Sequence, residues 1–215
     1  MKHSVRGFLF DLGGVIVHLD FDGVLNELAR YTAVPREQIA AFLESDPATL
    51  AFEKGEVSPR QYFAAVQRRL QFRGDYAAFV RLWNAWVSEH PPMTALLTAL
   101  KRRFPIGFIS NTNALHMRYL FDASSFLRPF DRCIASCFVG AWKPEPRIYQ
   151  IAVERMGLPA AEIVYIDDRS VCIEGGRKAG LRAVQFQGLD ALVGTLHDLG
   201  IAWESPDPQP SPIAR

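Results

Sequence analysis

The 215-residue chain is 49% hydrophobic and 22% charged, which is globular composition with enough apolar mass for one large core or a core plus a smaller domain. Its 24 Lys and Arg stand against 23 Asp and Glu, so the formal net charge of +1 provides no global field for nucleic acid or a membrane surface. Cys133, Cys137 and Cys172 make an odd count without a C-x-x-C, the pattern of small buried thiols in a reduced compartment rather than of a disulfide framework. Met1 to Phe10 has two basic residues and a very short apolar run that Asp11 interrupts, which is not a signal-peptide pattern. No apolar stretch approaches the ~18 residues needed to span a bilayer. The expectation is a cytoplasmic protein with neither nucleic acid nor membrane as partner, its oligomeric state left open.

Gly7-Phe8-Leu9-Phe10 reads as a buried strand ending at Asp11, and Val15-Ile16-Val17 follows the Gly13-Gly14 break as a second short extended piece. From about Asp20 to Glu89 the pattern turns helical. Pro35 can begin a helix, and Ser58-Pro59 is a cap followed by a first-turn proline. Phe79, Leu82, Trp83 and Trp86 recur at amphipathic spacing. About four helices are expected here and no strand. Trp83 and Trp86 read as core of this segment, and Phe52-Glu53-Lys54 before Gly55 as a stretch that could face a pocket.

From Pro91 onward helices and strands alternate. Helices are expected over 94–103, 115–121, 148–156 and 172–179, and strands over 105–109, 132–135, 163–166 and 182–186. That alternation implies an α/β fold, a parallel sheet covered by helices on both faces, with the helical segment inserted after the first strand. Beyond Trp203 the chain has four prolines and little to bury, and reads as a disordered tail.

In such sheets ligands bind beyond the carboxyl ends of the strands. Four polar clusters fall there: Asp11, Ser110-Asn111-Thr112, Lys143 and Asp167-Asp168. If the strands are neighbours, the clusters converge. Carboxylates gathered this way repel one another unless a cation sits between them, and oxygen ligands suit Mg²⁺. A hydroxyl, an amide and an ammonium can hold phosphate oxygens, and a carboxylate nucleophile divides phosphoryl transfer into two steps. Ser110-Asn111 also reads as a helix start, a role compatible with binding an anion.

Phe10-Asp11-Leu12-Gly13-Gly14-Val15, Ser110-Asn111-Thr112, Lys143-Pro144 and Ile166-Asp167-Asp168 resemble the four ordered motifs of the haloacid dehalogenase superfamily. Gly140-x-x-Lys143-Pro144-x-Pro146-x-Ile148-Tyr149 and the run from Glu174-Gly175 to Ala179-Gly180 extend the likeness over nearly the whole chain. Ser110-Asn111-Thr112-Asn113-x-x-His116 looks most like the alpha-glucose-1-phosphatase branch. The resemblance implies a Rossmann-like core over residues 1–19 and 90–203, with an all-helical cap over 20–89 that closes on the pocket and chooses substrate. It implies a Mg²⁺-dependent phosphatase for a small phosphate ester such as a sugar phosphate, working through an aspartyl phosphate. Asp11 would be nucleophile and metal ligand, the Gly13 carbonyl a second ligand and Asp168 a third, with Asp167 in or beside the shell. Ser110 and Asn111 would bind the phosphoryl group, and Lys143 would link it to the nucleophile.

One position departs from the family pattern. Two residues after the nucleophile the family usually has a second Asp as acid and base, and this chain has Gly13, as the glucose-1-phosphatase-like branch does. A glycine carbonyl can meet a metal but cannot move a proton, help typically worth ~10²–10⁴-fold. His18 and Asp20 lie just beyond, as surface residues or as substitutes for the missing group. Two other functions stay open: a metal-independent 2-haloacid dehalogenase, against which the Asp167-Asp168 pair speaks, and a non-catalytic phosphometabolite-binding protein, which Gly13 favours.

Overall fold

The computed structural model describes residues 4–85, 87–123, 127 and 130–203. Trp86 and the segment 204–215, expected as cap core and as a disordered tail, lie outside the described residues. In chain order, β1 (Gly7–Phe10) is followed by β2 (Val17–Leu19) and five helices: α1 (Phe21–Ala29), α2 (Arg36–Ser45), α3 (Pro47–Glu53), α4 (Pro59–Leu70) and α5 (Tyr76–Ala85). Then come β3 (Val87–Glu89), α6 (Pro91–Lys101), β4 (Ile106–Ser110), α7 (Ala114–Ala123), β5 (Arg132–Ala135) and α8 (Ser136–Val139). The chain continues through α9 (Pro146–Met156), β6 (Ile163–Asp167), α10 (Ser170–Lys178), β7 (Arg182–Gln185) and α11 (Leu189–Asp198).

Five strands form one parallel sheet in the order β5-β4-β1-β6-β7. The chain builds outward from β1 through β4 to β5, then crosses back to place β6 and β7 on the other side. β1 is therefore the point where winding reverses, and its carboxyl end is where such a sheet opens a crevice for ligands. Alternate residues divide between the faces. Phe8, Phe10, Phe108, Val164 and Ile166 pack with Leu96, Leu100, Met117 and Leu196 of α6, α7 and α11. Leu9, Ile109, Ile134 and Tyr165 pack with Ile148, Tyr149 and Ile173 of α9 and α10.

Helices α1–α5 bury a third cluster of their own. Tyr62, Phe79 and Trp83 stack there with Phe42, Phe52, Phe63 and Phe72, and Leu115 of α7 joins them. The Ser58 side chain accepts from Gln61 N while the Gln61 side chain accepts from Ser58 N, a capping box with Pro59 in the first turn of α4. Gln71 then ends that helix in the left-handed region. The fold is thus the expected α/β core with a helical insertion, and it differs from the sequence reading at several places: Val15 and Ile16, expected as extended, lie in a turn before β2, the insertion holds five helices rather than about four, and α8 was not expected. Val87–Glu89, expected to hold no strand, pairs antiparallel with β2 through Val17–Glu89, His18–Ser88 and Leu19–Val87. This ribbon is only three residues long and turns mostly polar side chains outward, so it has no apolar alternation to reveal it. Helix α11 was not anticipated either, because its start lacks a side-chain cap. None of the helices among the described residues is long and apolar enough to cross a membrane.

Phe79 is fully buried and contacts the rings of Tyr62, Phe63, Phe72, Tyr76 and Trp83. Phe79→Ala is expected to lower the unfolding free energy by about 3–5 kcal/mol, measured by guanidinium titration. A loss below about 1 kcal/mol would show that the helices do not depend on this cluster.

Candidate active site

The end of β1 is shaped by a tight turn. Asp11 N still bonds to Ile166 O at 2.8 Å, extending the pairing with β6, and then the Leu12 carbonyl accepts from the amides of Val15, Ile16 and Val17. Three donors on one carbonyl fold residues 12–17 into a knot, and none of these bonds uses the Gly13 carbonyl. Gly14 has φ +75°, and a Cβ built on it would lie 2.6 Å from Asp168 Oδ2, so a residue without a side chain is required there. Gly13 is different: its φ is not positive, and a Cβ would meet the tip of Leu19 at 2.7 Å.

Asp11 is buried, with Oδ1 accepting from Leu12 N at 2.7 Å and Oδ2 2.9 Å from Lys143 Nζ. Lys143 is 1% exposed, and its ammonium also lies 2.6 Å from Asp167 Oδ2. Asp167 has further bonds: Oδ2 accepts from the Tyr165 hydroxyl, and Oδ1 from Arg169 N at 2.9 Å. Asp168 faces the other way. Its Oδ1 is buried and has no hydrogen-bond partner among the described residues. Asp11, Asp167 and Asp168 bring one oxygen each within 4.8 Å of one another.

The opposite wall comes from β4. Ser110 is buried, and its Oγ makes one long contact, 3.5 Å to Asn111 O. Asn111 spans to the lysine loop: Oδ1 accepts from Lys143 N at 2.7 Å and Nδ2 donates to Lys143 O at 2.9 Å. The side chain expected on phosphate thus has both ends on the backbone of Lys143, and the structure makes it the brace that holds the lysine at the pocket. Thr112 is tied through its backbone to Ser136 Oγ. Asp20 caps α1 by accepting from Gly23 N, and His18 lies on β2 with its ring 4.5 Å from that of His90.

Electrostatics follow from this crowding. Burial raises the Asp11 carboxyl, Lys143 opposes that rise and Asp167 adds to it. Burial alone would lower Lys143, but Asp11 and Asp167 hold its ammonium above the usual lysine range. Burial and then Asp167 raise Asp168. Three carboxylates face one ammonium, with an orphaned buried oxygen among them. An all-oxygen donor set with spare negative charge fits a hard divalent cation.

Two adjoining cavities meet here. One, of about 460 Å³, is lined by Asp11, Gly13, His18, Ser110, Lys143 and Asp168. The other, of about 160 Å³, runs beneath the helical insertion between Leu12, Val17, Phe21, Leu43 and Trp83, with Glu53 in its wall. Gly13, Leu19, Ser110 and Asn111 line both. Glu53 belongs to the stretch expected to face a pocket, and it does line the smaller cavity. Its Oε2 accepts from Trp142 Nε1 at 3.1 Å.

A parallel sheet with an aspartate at the end of its central strand, a buried lysine against it and an acidic pair beside it defines a hydrolase of the haloacid dehalogenase type. The family model for haloacid dehalogenase-like hydrolases matches residues 5–180, and the chain belongs to that family. It is 26% identical to the phosphatase MT3486 of Mycobacterium tuberculosis over 95% of this chain and the full length of that protein. It is 22% identical to the sesquiterpene phosphatase astK of Aspergillus oryzae over 84% of this chain and 89% of the relative. In structure it is similar to a HAD family enzyme, bt-2542, of Bacteroides thetaiotaomicron, with TM-score 0.79 and 22% identity over 87% of this chain and 96% of that one. Another structure of that enzyme, a complex with magnesium and inorganic phosphate, superposes with TM-score 0.77 at 21% identity, covering 85% of this chain and 94% of that one.

The buried carboxyls set a pH dependence for the metal-free fold. Burial pushes Glu53 up to about 7, and Asp11 and Asp168 are raised as well. Each binds its proton more tightly folded than unfolded, so stability falls as pH rises from the unfolded value of about 4 through the folded one. His116, lowered to about 4 by burial, acts in the opposite sense, but only below its ordinary 6.5. In chelator, Tm is therefore expected to drop by a few degrees between pH 6.5 and 8. A rise over that interval would contradict the assignment of buried, proton-holding acids.

Proposed function

We propose that the protein is a Mg²⁺-dependent phosphatase for a small phosphate monoester, with Asp11 as nucleophile. The observation that carries this reading is the division of labour between the two adjacent acids. Asp167 is spent on Lys143, Tyr165 and Arg169 N, whereas Asp168 keeps a buried oxygen without a partner. An unsatisfied buried carboxylate oxygen costs about 1–3 kcal/mol or more, and a cation is the partner that removes that cost. Asp11, the Gly13 carbonyl and Asp168 would hold the ion, and Asp167 would stand behind them. When bound, Mg²⁺ supplies the positive charge that lets an anionic ester approach an anionic nucleophile.

The protein groups then have distinct tasks. Leu12 N and Lys143 Nζ hold the two Asp11 oxygens, which fixes the carboxylate at the wall of the larger cavity. Lys143 has a donor left for a phosphoryl oxygen, and the Ser110 hydroxyl supplies another. Attack by Asp11 would give an aspartyl phosphate, and water would release phosphate from it. Residues 20–89 would act as the cap, moving against the core formed by 1–19 and 90–203 and excluding water while the phosphoryl group is transferred.

The smaller cavity suits the leaving group. Its polar wall groups are largely satisfied within the protein: Thr49 bonds to Phe42 O and Tyr62, Asn113 to Trp83 and His116, and His116 to Trp83 O. The remaining wall is mostly apolar. A sugar, the leaving group suggested by the glucose-1-phosphatase likeness, would leave most of its hydroxyls unpaired there, which favours a smaller and less polar alcohol or phenol. A 2-haloacid dehalogenase, the alternative reading, has no need of the orphaned Asp168 oxygen.

Hydrolysis of p-nitrophenyl phosphate with Mg²⁺ and with chelator tests the assignment, alongside halide release from a 2-haloacid. Asp11→Asn is expected to lose at least 10³-fold in kcat with an unchanged circular dichroism spectrum, because an amide is a poor nucleophile and a weaker ligand. Turnover within a few-fold of the unaltered protein would sink it. Titration calorimetry separates the acids. Asp168→Asn should lose Mg²⁺ affinity by tenfold or more, whereas Asp167→Asn should chiefly lower stability, by about 3–5 kcal/mol, through a weakened partner for Lys143. The reverse pattern would exchange their roles.

A further inference from the structure

We propose that Glu53, carried by the cap at the C-terminal end of α3, is the acid–base residue that serves the leaving group in place of the side chain Gly13 lacks. The proposal rests on the phosphatase reading above and adds the source of the proton.

Three features of the geometry lead to it. First, the direction in which a side chain at residue 13 would point is occupied: its Cβ would lie 2.7 Å from Leu19 Cδ1. The near end of the leaving-group cavity is apolar where the family's acid would stand. Second, Glu53 lines that same cavity with Gly13, Ser110 and Asn111, which also wall the cavity of Asp11. Third, Glu53 is held there by the core. Trp142 Nε1 donates to its Oε2 at 3.1 Å, and Ser136 Oγ donates to its backbone carbonyl at 2.6 Å. Trp142 directly precedes Lys143, whose ammonium touches Asp11. At Gly55, where a Cβ would lie 2.1 Å from Cys137 O, cap backbone comes into contact with core backbone.

Other groups are less suited. His116 lines the cavity, but its Nε2 meets Trp83 O at 2.7 Å and Asn113 Nδ2 lies 3.1 Å from its Nδ1, so the ring is fixed as a neutral link. His18 is in the other cavity against His90. Glu53 lines the cavity, and Trp142 takes only its Oε2.

The surroundings let Glu53 hold a proton near neutrality. Burial raises it to about 7, against the Trp142 hydrogen bond and the charge of Arg169 at the start of α10. Lys54, on the same turn, is taken by Glu145 at 2.6 Å. Tyr62 and Cys137, which also sense the Glu53 charge, are themselves raised by burial and stay neutral. Glu53 thus has an appreciable acid form at pH 7, as a general acid needs.

The proton balance closes over two steps. As an Asp11 oxygen bonds to phosphorus, the bond from phosphorus to the ester oxygen breaks, its electron pair stays on that oxygen, and the proton of Glu53 neutralises it. The alcohol departs and Glu53 is a carboxylate. It then takes a proton from the water whose oxygen attacks the phosphorus of the aspartyl phosphate. The bond to Asp11 breaks, inorganic phosphate leaves, and both carboxyls are restored.

The test compares aryl and alkyl phosphates in the full-length protein with Mg²⁺. A nitrophenolate leaves without a proton, whereas a benzyl alkoxide does not. Glu53→Gln should therefore lower kcat/KM for benzyl phosphate by 10²–10⁴-fold and for p-nitrophenyl phosphate by less than tenfold. The limb near pH 7 in the benzyl phosphate profile should vanish. Slowed release of phosphate should also appear as a burst of nitrophenolate. Glu53→Asp should recover part of the benzyl activity, while Mg²⁺ affinity and circular dichroism stay as in the unaltered protein. An equal loss on both substrates, or no loss, overturns the proposal. If neither variant folds, the unaltered protein decides: a weak dependence of kcat/KM on leaving-group pKa supports a proton donor, and a steep one overturns it. A protein inactive on every monoester with Mg²⁺ would instead overturn the phosphatase reading itself.

Discussion

A fully buried ammonium organises this active site. Lys143 is removed from water, a transfer that costs several kcal/mol unless the charge is met by partners in good geometry. It is met twice, at 2.9 Å by Asp11 and at 2.6 Å by Asp167. Those two carboxylates stand at the ends of neighbouring strands, so β1 and β6 must pair in register for the lysine to be satisfied. The Asn111 brace adds the third strand: an amide at the end of β4 holds the backbone on both sides of the lysine. Tyr165, two residues earlier on the same face of β6, donates its hydroxyl to the Asp167 oxygen that meets Lys143. Sheet, loop and charge therefore specify one another, and displacing any one leaves a buried charge without its partner.

The cap is joined to this core in two unlike ways. On one side the contact is apolar and aromatic: Leu115 packs into the cluster of the helices, and Trp83 stacks on His116 while donating to Asn113. On the other side it is a short polar latch. Lys54 meets Glu145, Trp142 reaches Glu53, and Ser136 bonds to Glu53 O. The ion pair is partly exposed and screened, worth a fraction of the packed side. Of the latch residues, Glu53 lines the smaller cavity.

Most of the sheet was legible because fully buried strands are short apolar runs that stop at polar residues. Phe8 to Phe10, Ile106 to Ile109 and Ile163 to Ile166 each end at a residue that reaches the site, and their parallel order follows from the helices between them. The site residues were legible as a set, and the family resemblance already implied Asp168 as the ligand with Asp167 in or beside the shell. What the sequence did not reveal is that Lys143 and Tyr165 consume Asp167 while Asp168 keeps an open oxygen. Asn111 read as a phosphate ligand, and nothing local reveals that its side-chain amide also spans to the backbone of residue 143. The β2–β3 ribbon escaped notice since pairing between residues 17–19 and 87–89 carries no periodic signal. Phe52-Glu53-Lys54 read as a stretch that could face a pocket, and Glu53 does line one, but its hydrogen bond from Trp142, far along the chain, had no local signal.

The charge balance of the site bears on phosphorus against carbon as the atom attacked. Three carboxylates and one ammonium leave a net negative pocket before substrate enters. A phosphate dianion would add two more charges at a few ångströms, and each like-charge pair at 4 Å costs roughly 4 kcal/mol at an effective dielectric of 20. Lys143 cannot offset that alone, because its charge is already divided between Asp11 and Asp167. A divalent cation between Asp11 and Asp168 reverses the balance, and the same ion gives the buried Asp168 oxygen the partner the protein withholds. Displacement at carbon makes a smaller demand: a haloacid brings one negative charge, and its leaving halide needs no proton. Such a reaction would use Asp11 and Lys143, and hydrolysis of its ester intermediate would still need a base for the attacking water, so Glu53 does not separate the two. The open side of Asp168 does: displacement at carbon gives it no task, whereas an anionic phosphoryl group would need the cation it can hold.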